Sequence, residues 1–183
     1  MNIPNSFTLL RIILIPVLMV FFYVPWHWGH FCSAIIFALA CITDWLDGYL
    51  ARSLHQMSAL GQFLDPVADK LIVAVSLVLL ASQQSHLAFF AIPAAIIVGR
   101  EIGVSALREW MAELGKRTSV AVSFVGKLKT SLQMVAVTGL LATSDKFLPA
   151  VNIAGYWLLW VSAVLTVWSM TIYLRAAYKE LSA

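Results

Sequence analysis

Four of the five aspartates of this chain fall in one short stretch, DWLDGYLARSLHQMSALGQFLDPVADK, residues 44–70. Residues three or four apart share a helix face. Asp44, Asp47, Gly48 and Ala51 therefore form one stripe, and Gly61, Asp65 and Asp69 form a second. Antiparallel neighbours joined by SLHQMSAL can turn both stripes toward one space. Four carboxylates there repel one another, and an aspartate at the centre of a membrane helix costs about 2.5–3.5 kcal/mol on insertion scales. Arg52 and Lys70 supply part of the compensating charge. Divalent cations can supply the rest, since all-oxygen ligands suit Mg²⁺, Mn²⁺ or Ca²⁺, and four carboxylates can hold two ions. Two ions a few ångströms apart clamp a phosphoryl group during displacement. A carboxylate not fully used by metal can take the proton of an attacking hydroxyl.

Each of these residues also has a plainer role open to it. Asp65 followed by Pro66 makes a helix N-cap and first-position pair. Asp44 or Asp47 can pair with Arg52, and Asp69 with Lys70. Gly48, Ala51 and Gly61 leave room for a flat or bulky group against the backbone, or equally for close packing of helices in a membrane.

The elements that would position these acids are apolar. The 183-residue chain is 61% hydrophobic and 11% charged, where a soluble domain carries roughly 25% charged residues. Its apolar runs approach the roughly twenty residues that cross a bilayer core. Six are drawn, at about 7–24, 31–51, 60–82, 87–108, 119–142 and 151–174. They predict an all-α, polytopic bundle of six transmembrane helices with short connections, forming one catalytic domain over 1–183. The N-terminus lacks the basic start and small-residue cleavage site of a signal peptide, so it is read as a retained first span. Cys32 and Cys41 are more than two helical turns apart in one segment, too far to bridge. The connections PWHWGH and SQQSH hold no Lys or Arg, and the connection near 143–149 holds Lys146 alone. Arg52, Arg108, Lys116, Arg117, Arg175 and Lys179 gather on the opposite side. Under the positive-inside rule that side is cytoplasmic, with both termini and all four aspartates at it. Trp26, Trp28, Tyr156 and Trp157 mark an outer aromatic belt.

The stretch reads D-x2-D-G-x2-A-R-x8-G-x3-D-x3-D with every fixed position filled. It resembles the signature of the CDP-alcohol phosphotransferases. The resemblance implies a homodimer of six-helix protomers in the bacterial cytoplasmic (inner) membrane, with a polar site at the cytoplasmic face. It implies transfer of a phosphatidyl group from a CDP-linked lipid to an alcohol, releasing CMP, with no nucleic-acid partner. By motif position, Asp44, Asp47 and Asp65 would bind metal, a pair of Mg²⁺ or Mn²⁺ ions, with Asp69 as general base and further ligand. Gly48, Ala51, Arg52 and Gly61 would line the CDP pocket. NIPNSFTLLRI, GREIGVSALREW and GKLKTSLQ resemble the bacterial branch of the family whose donor is CDP-diacylglycerol and whose acceptor is sn-glycerol 3-phosphate.

An anionic acceptor needs fixed positive charge. Arg100 lies within the fourth segment, with Arg108 two turns on and on roughly the same face. Lys127 and Lys129 lie early in the fifth. Arg100, Arg108 and Lys127 are the expected phosphate grip, since Arg offers parallel hydrogen bonds to phosphate; a pair between Arg100 and Glu101 or Glu109 is the plainer alternative. Lys129 and Arg11 are expected to snorkel to the interface, Lys116 and Arg117 to meet anionic headgroups, His55 to be a polar loop residue, and Gly99 and Gly103 to pack. Two rival functions stay open. One is the same chemistry with another acceptor, such as inositol phosphate or serine. The other is divalent-cation transport, disfavoured because the acids gather at one membrane face.

Overall fold

The computed structural model describes residues 3–54, 59–84, 89–114, 124–143 and 148–181; at 3–7, 45–54, 59–60, 62–63, 124–125, 127 and 179–181 the description is of backbone alone. Six helices follow in order: α1 (Ile3–Tyr23), α2 (Gly29–Leu54), α3 (Ala59–Gln83), α4 (Ala91–Glu113), α5 (Phe124–Ala142) and α6 (Pro149–Leu181). Each overlaps one of the apolar runs; α2, α3 and α6 contain theirs, whereas α4 begins at Ala91 and α5 at Phe124, inside the runs drawn from 87 and 119. α4 continues beyond 108 to Glu113, and α6 beyond 174 to Leu181, because backbone hydrogen bonding propagates into polar flanks once a helix is nucleated. Pro149 opens α6, where a missing N–H costs nothing.

The plainer alternative for Asp65, a helix cap, does not hold. α3 begins at Ala59 and carries Pro66 inside it, so Asp65 lies in the second turn. Its carboxylate projects from a helix that is already formed, and capping does not account for it.

The core runs through the bundle along Leu18, Phe37, Leu77, Leu80, Ile97, Val137, Leu140 and Leu159, all essentially inaccessible. α5 packs most extensively on α6, α1 on both α2 and α3, and α4 on α6. Gly155 sets the closest approach of α5 and α6. A β-carbon there would stand 2.8 Å from Leu140 Cγ and 3.3 Å from the Ala136 carbonyl. Gly155→Val is therefore expected to lower stability by about 1–3 kcal/mol through overpacking, measured as a lower melting temperature in detergent. Among the described residues, a β-carbon at Gly99 or Gly103 meets nothing within 4 Å.

Cys32 and Cys41 are both free thiols. Among the described residues, one helical stretch, Pro149–Tyr178, is long and apolar enough by length and composition to cross a membrane. Thr8–Tyr23, Gly29–Asp44 and Leu128–Ala142 are shorter apolar stretches.

Candidate active site

A cavity of about 480 Å³ opens at one end of the bundle. The N-terminal and middle parts of α3 and α5, the middle and C-terminal parts of α2 and α4, and the C-terminal half of α6 line it. α1 joins them through Thr8 and Arg11, also in its N-terminal half. Successive helices thus alternate in direction, and this alternation brings positions far apart in the chain to one end.

One wall is acidic. Asp44 on α2 and Asp65 and Asp69 on α3 line the cavity together, as the two-stripe reading requires. They are tied to α1. Arg11 Nη1 donates to Asp44 Oδ1 at 3.0 Å and also to Asp69 Oδ1, while Thr8 Oγ donates to Asp65 Oδ1. Gly61, a turn before Asp65, is buried. Asp47, Gly48, Ala51 and Arg52 follow Asp44 along α2, and their side chains lie outside the described residues.

The opposite wall is basic. Arg100 and Arg108 on α4 and Lys129 on α5 line the same cavity. Glu101 Oε1 accepts from Arg100 Nη1 at 2.6 Å and lies 3.6 Å from Lys129 Nζ. The Arg100–Glu101 pair was the plainer alternative for Arg100, and it coexists with the cavity position. α6 completes the wall. Arg100 Nη2 reaches Ser169 Oγ at 3.4 Å, and Arg108 Nη2 donates to the Tyr173 hydroxyl at 2.8 Å with its guanidinium 5.0 Å from the ring centroid. Glu101 cancels one of the three positive charges, so the wall keeps a net positive balance. Lys127 has its side chain outside the described residues, and Lys116, Arg117 and His55 lie outside them altogether.

Two expectations are corrected here. Arg11 is 1% exposed and ion-paired between two helices, and Lys129 is 3% exposed beside Glu101. Both are buried inside the bundle, where a cation facing opposite charge has no need to snorkel. Ser169 and Tyr173 were missed, one turn apart on an apolar helix where no charge draws attention to them.

The donor chemistry of the acidic wall fits a hard divalent ion. Among the described residues no three His, Cys, Asp or Glu side chains are already gathered around one point. Three carboxylates nevertheless share the cavity, and each has about four lone-pair positions. Asp47 stands one helical turn from Asp44 as the fourth.

A sequence model described as CDP-alcohol phosphatidyltransferase matches residues 1–168. Three relatives carry the name CDP-diacylglycerol–glycerol-3-phosphate 3-phosphatidyltransferase. The protein from Salmonella choleraesuis is 53% identical over 180 residues, covering 98% of this chain and 97% of its own. That from Sodalis glossinidius is 51% identical over 181 residues, with 99% and 97% covered. That from Yersinia enterocolitica is 50% identical over 181 residues, with the same coverage. With the family's description matching nearly the whole length and the acidic stripes meeting at one cavity, the chain belongs to the CDP-alcohol phosphatidyltransferase family.

Proposed function

We propose that this protein transfers the phosphatidyl group of CDP-diacylglycerol to sn-glycerol 3-phosphate, giving phosphatidylglycerophosphate and CMP, as a step of phosphatidylglycerol and cardiolipin synthesis. The observation that carries the reading is the pairing of an acidic wall with a basic wall across one cavity. A cation-assisted diphosphate donor suits the first wall, and a phosphorylated acceptor suits the second. The names of the relatives point the same way.

The family depends on divalent metal. Asp44, Asp47, Asp65 and Asp69 would hold Mg²⁺ or Mn²⁺, as a pair of ions, and the bound metal would neutralise the diphosphate and stabilise the departing CMP oxygen. Gly48, Ala51 and Gly61 leave space for the cytidine, with Arg52 on the CDP phosphates. Arg100 and Arg108, with Lys127 and Lys129, receive the acceptor's phosphate and aim its free hydroxyl at the acidic wall. Asp69 takes the hydroxyl proton as the oxygen attacks the lipid-linked phosphorus. The new P–O bond forms as the bond to CMP breaks. Tyr173 and Ser169 hold the two arginines in place.

The family is membrane-embedded, and the reading here is six spans forming one catalytic domain over 1–183. Ile13, Ile35, Val78, Ile102, Val135 and Val164 are exposed, one on each helix. Apolar residues open on every side would be a liability in water and suit lipid. Both termini and the cavity are assigned here to the cytoplasmic face of the bacterial inner membrane, a reading that the charge asymmetry of the connections supports. The open face at Gly99 and Gly103 is available for packing in a homodimer.

The test is CMP release by purified protein in mixed micelles of detergent and CDP-diacylglycerol. Glycerol 3-phosphate, inositol phosphate, serine and glycerol are compared as acceptors. Release with glycerol 3-phosphate alone is expected. Release with serine or glycerol would show that the basic wall does not select a phosphate.

A further inference from the structure

The acid-bearing helices α2 and α3 touch each other far less than either touches α1. α1 is therefore the splint between them, and its donors meet the acids. Thr8 and Arg11 are three residues apart, hence on one face of α1. Thr8 bonds Asp65, and Arg11 Nη1 bonds both Asp44 and Asp69. One side of α1 thus serves three carboxylates on two other helices. Arg11 is 1% exposed, and an arginine buried in an apolar bundle is costly unless it faces opposite charge.

We infer that Arg11 is the fixed counter-cation of the acidic wall. It keeps Asp44 and Asp69 converged when no divalent ion is bound and orients both carboxylates when one is. It is not among the residues that line the cavity and acts through Asp44 and Asp69, so it is a positioning residue. This role rests on the placement of a divalent ion at these aspartates. Without Arg11 the metal-free wall carries more repulsion, and an added cation has more of it to relieve. A role in packing alone would weaken the protein equally with and without metal.

The experiment follows thermal unfolding of purified Arg11→Met, Arg11→Lys and wild type by tryptophan fluorescence, in Mg²⁺ and in chelator. Arg11→Met is expected to melt below wild type in chelator and to gain more from Mg²⁺ than wild type gains. Arg11→Lys keeps the charge without the planar fork, so its chelator melting temperature falls between the two. Turnover of both variants is expected to drop about 10- to 100-fold, as for partners that orient metal ligands. An equal loss of melting temperature in Mg²⁺ and in chelator would reduce Arg11 to a packing residue and overturn the inference. Should Arg11→Met not fold, Arg11→Lys carries the test, with a Mg²⁺ gain above that of wild type expected and an equal gain overturning it. A wild type that gains nothing from Mg²⁺ would remove the ion from this wall and the inference with it, while the acceptor assay would still decide the reaction.

Discussion

Asp69→Asn is expected to cut turnover by about 10³-fold or more, near the upper range of general-base contributions. That is a loss of about 4 kcal/mol of transition-state stabilisation. Asp69 lines the same cavity as Arg100 and Arg108, so it can meet the hydroxyl of an acceptor whose phosphate rests on those arginines. Asparagine matches the carboxylate in shape and retains an oxygen, so donor and metal binding change far less than turnover. It cannot take a proton. Steady-state kinetics in mixed micelles separate these effects: kcat should collapse while the KM for CDP-diacylglycerol stays near that of wild type. Wild-type-like turnover would remove Asp69 as the base.

Arg100→Ala should act on the other substrate. Hydrogen bonds to charged groups contribute about 1.5–3 kcal/mol each, so losing the guanidinium should raise the KM for glycerol 3-phosphate by about tenfold to 150-fold. The donor KM should hardly move, because Arg100 faces the acidic wall from across the cavity. Arg100 is 9% exposed and pinned between Glu101 and Ser169, so its charge is held in place before the acceptor arrives. Its removal also leaves Glu101 beside Lys129 alone, which weakens the wall further. A proportional rise in both KM values would mean that the arginine shapes the whole cavity and does not select the acceptor.

The acidic wall was legible in the sequence because helical spacing is local. Asp44 and Asp47, and Asp65 and Asp69, declare their faces within one turn, and the flanking apolar runs declare the helices. The basic wall was half legible. Arg100 and Arg108 stand out on an apolar helix, whereas Ser169 and Tyr173 join them only through the packing of α6 on α4. Arg11 was misread because it is separated by 33 and 58 residues from its partners. Sequence gives its depth along α1 but not which side of α1 faces α2 and α3. A cation near the end of an apolar helix then looks bound for the interface. Lys129 misled for the same reason. Asp65–Pro66 looked like a helix start because the pair is favoured there, yet α3 begins six residues earlier. The upstream turn is maintained despite the hydrogen bond that Pro66 cannot donate.

The central claim is that one cavity joins a metal-assisted CDP-lipid donor to a phosphorylated acceptor. The most direct measurement counts CMP and lipid product in the same sample, with CDP-diacylglycerol and glycerol 3-phosphate, in Mg²⁺ and in excess chelator. The account predicts one phosphatidylglycerophosphate for each CMP in Mg²⁺, and neither product in chelator or without acceptor. Release of CMP without a matching lipid product, or equal rates in Mg²⁺ and chelator, would contradict it.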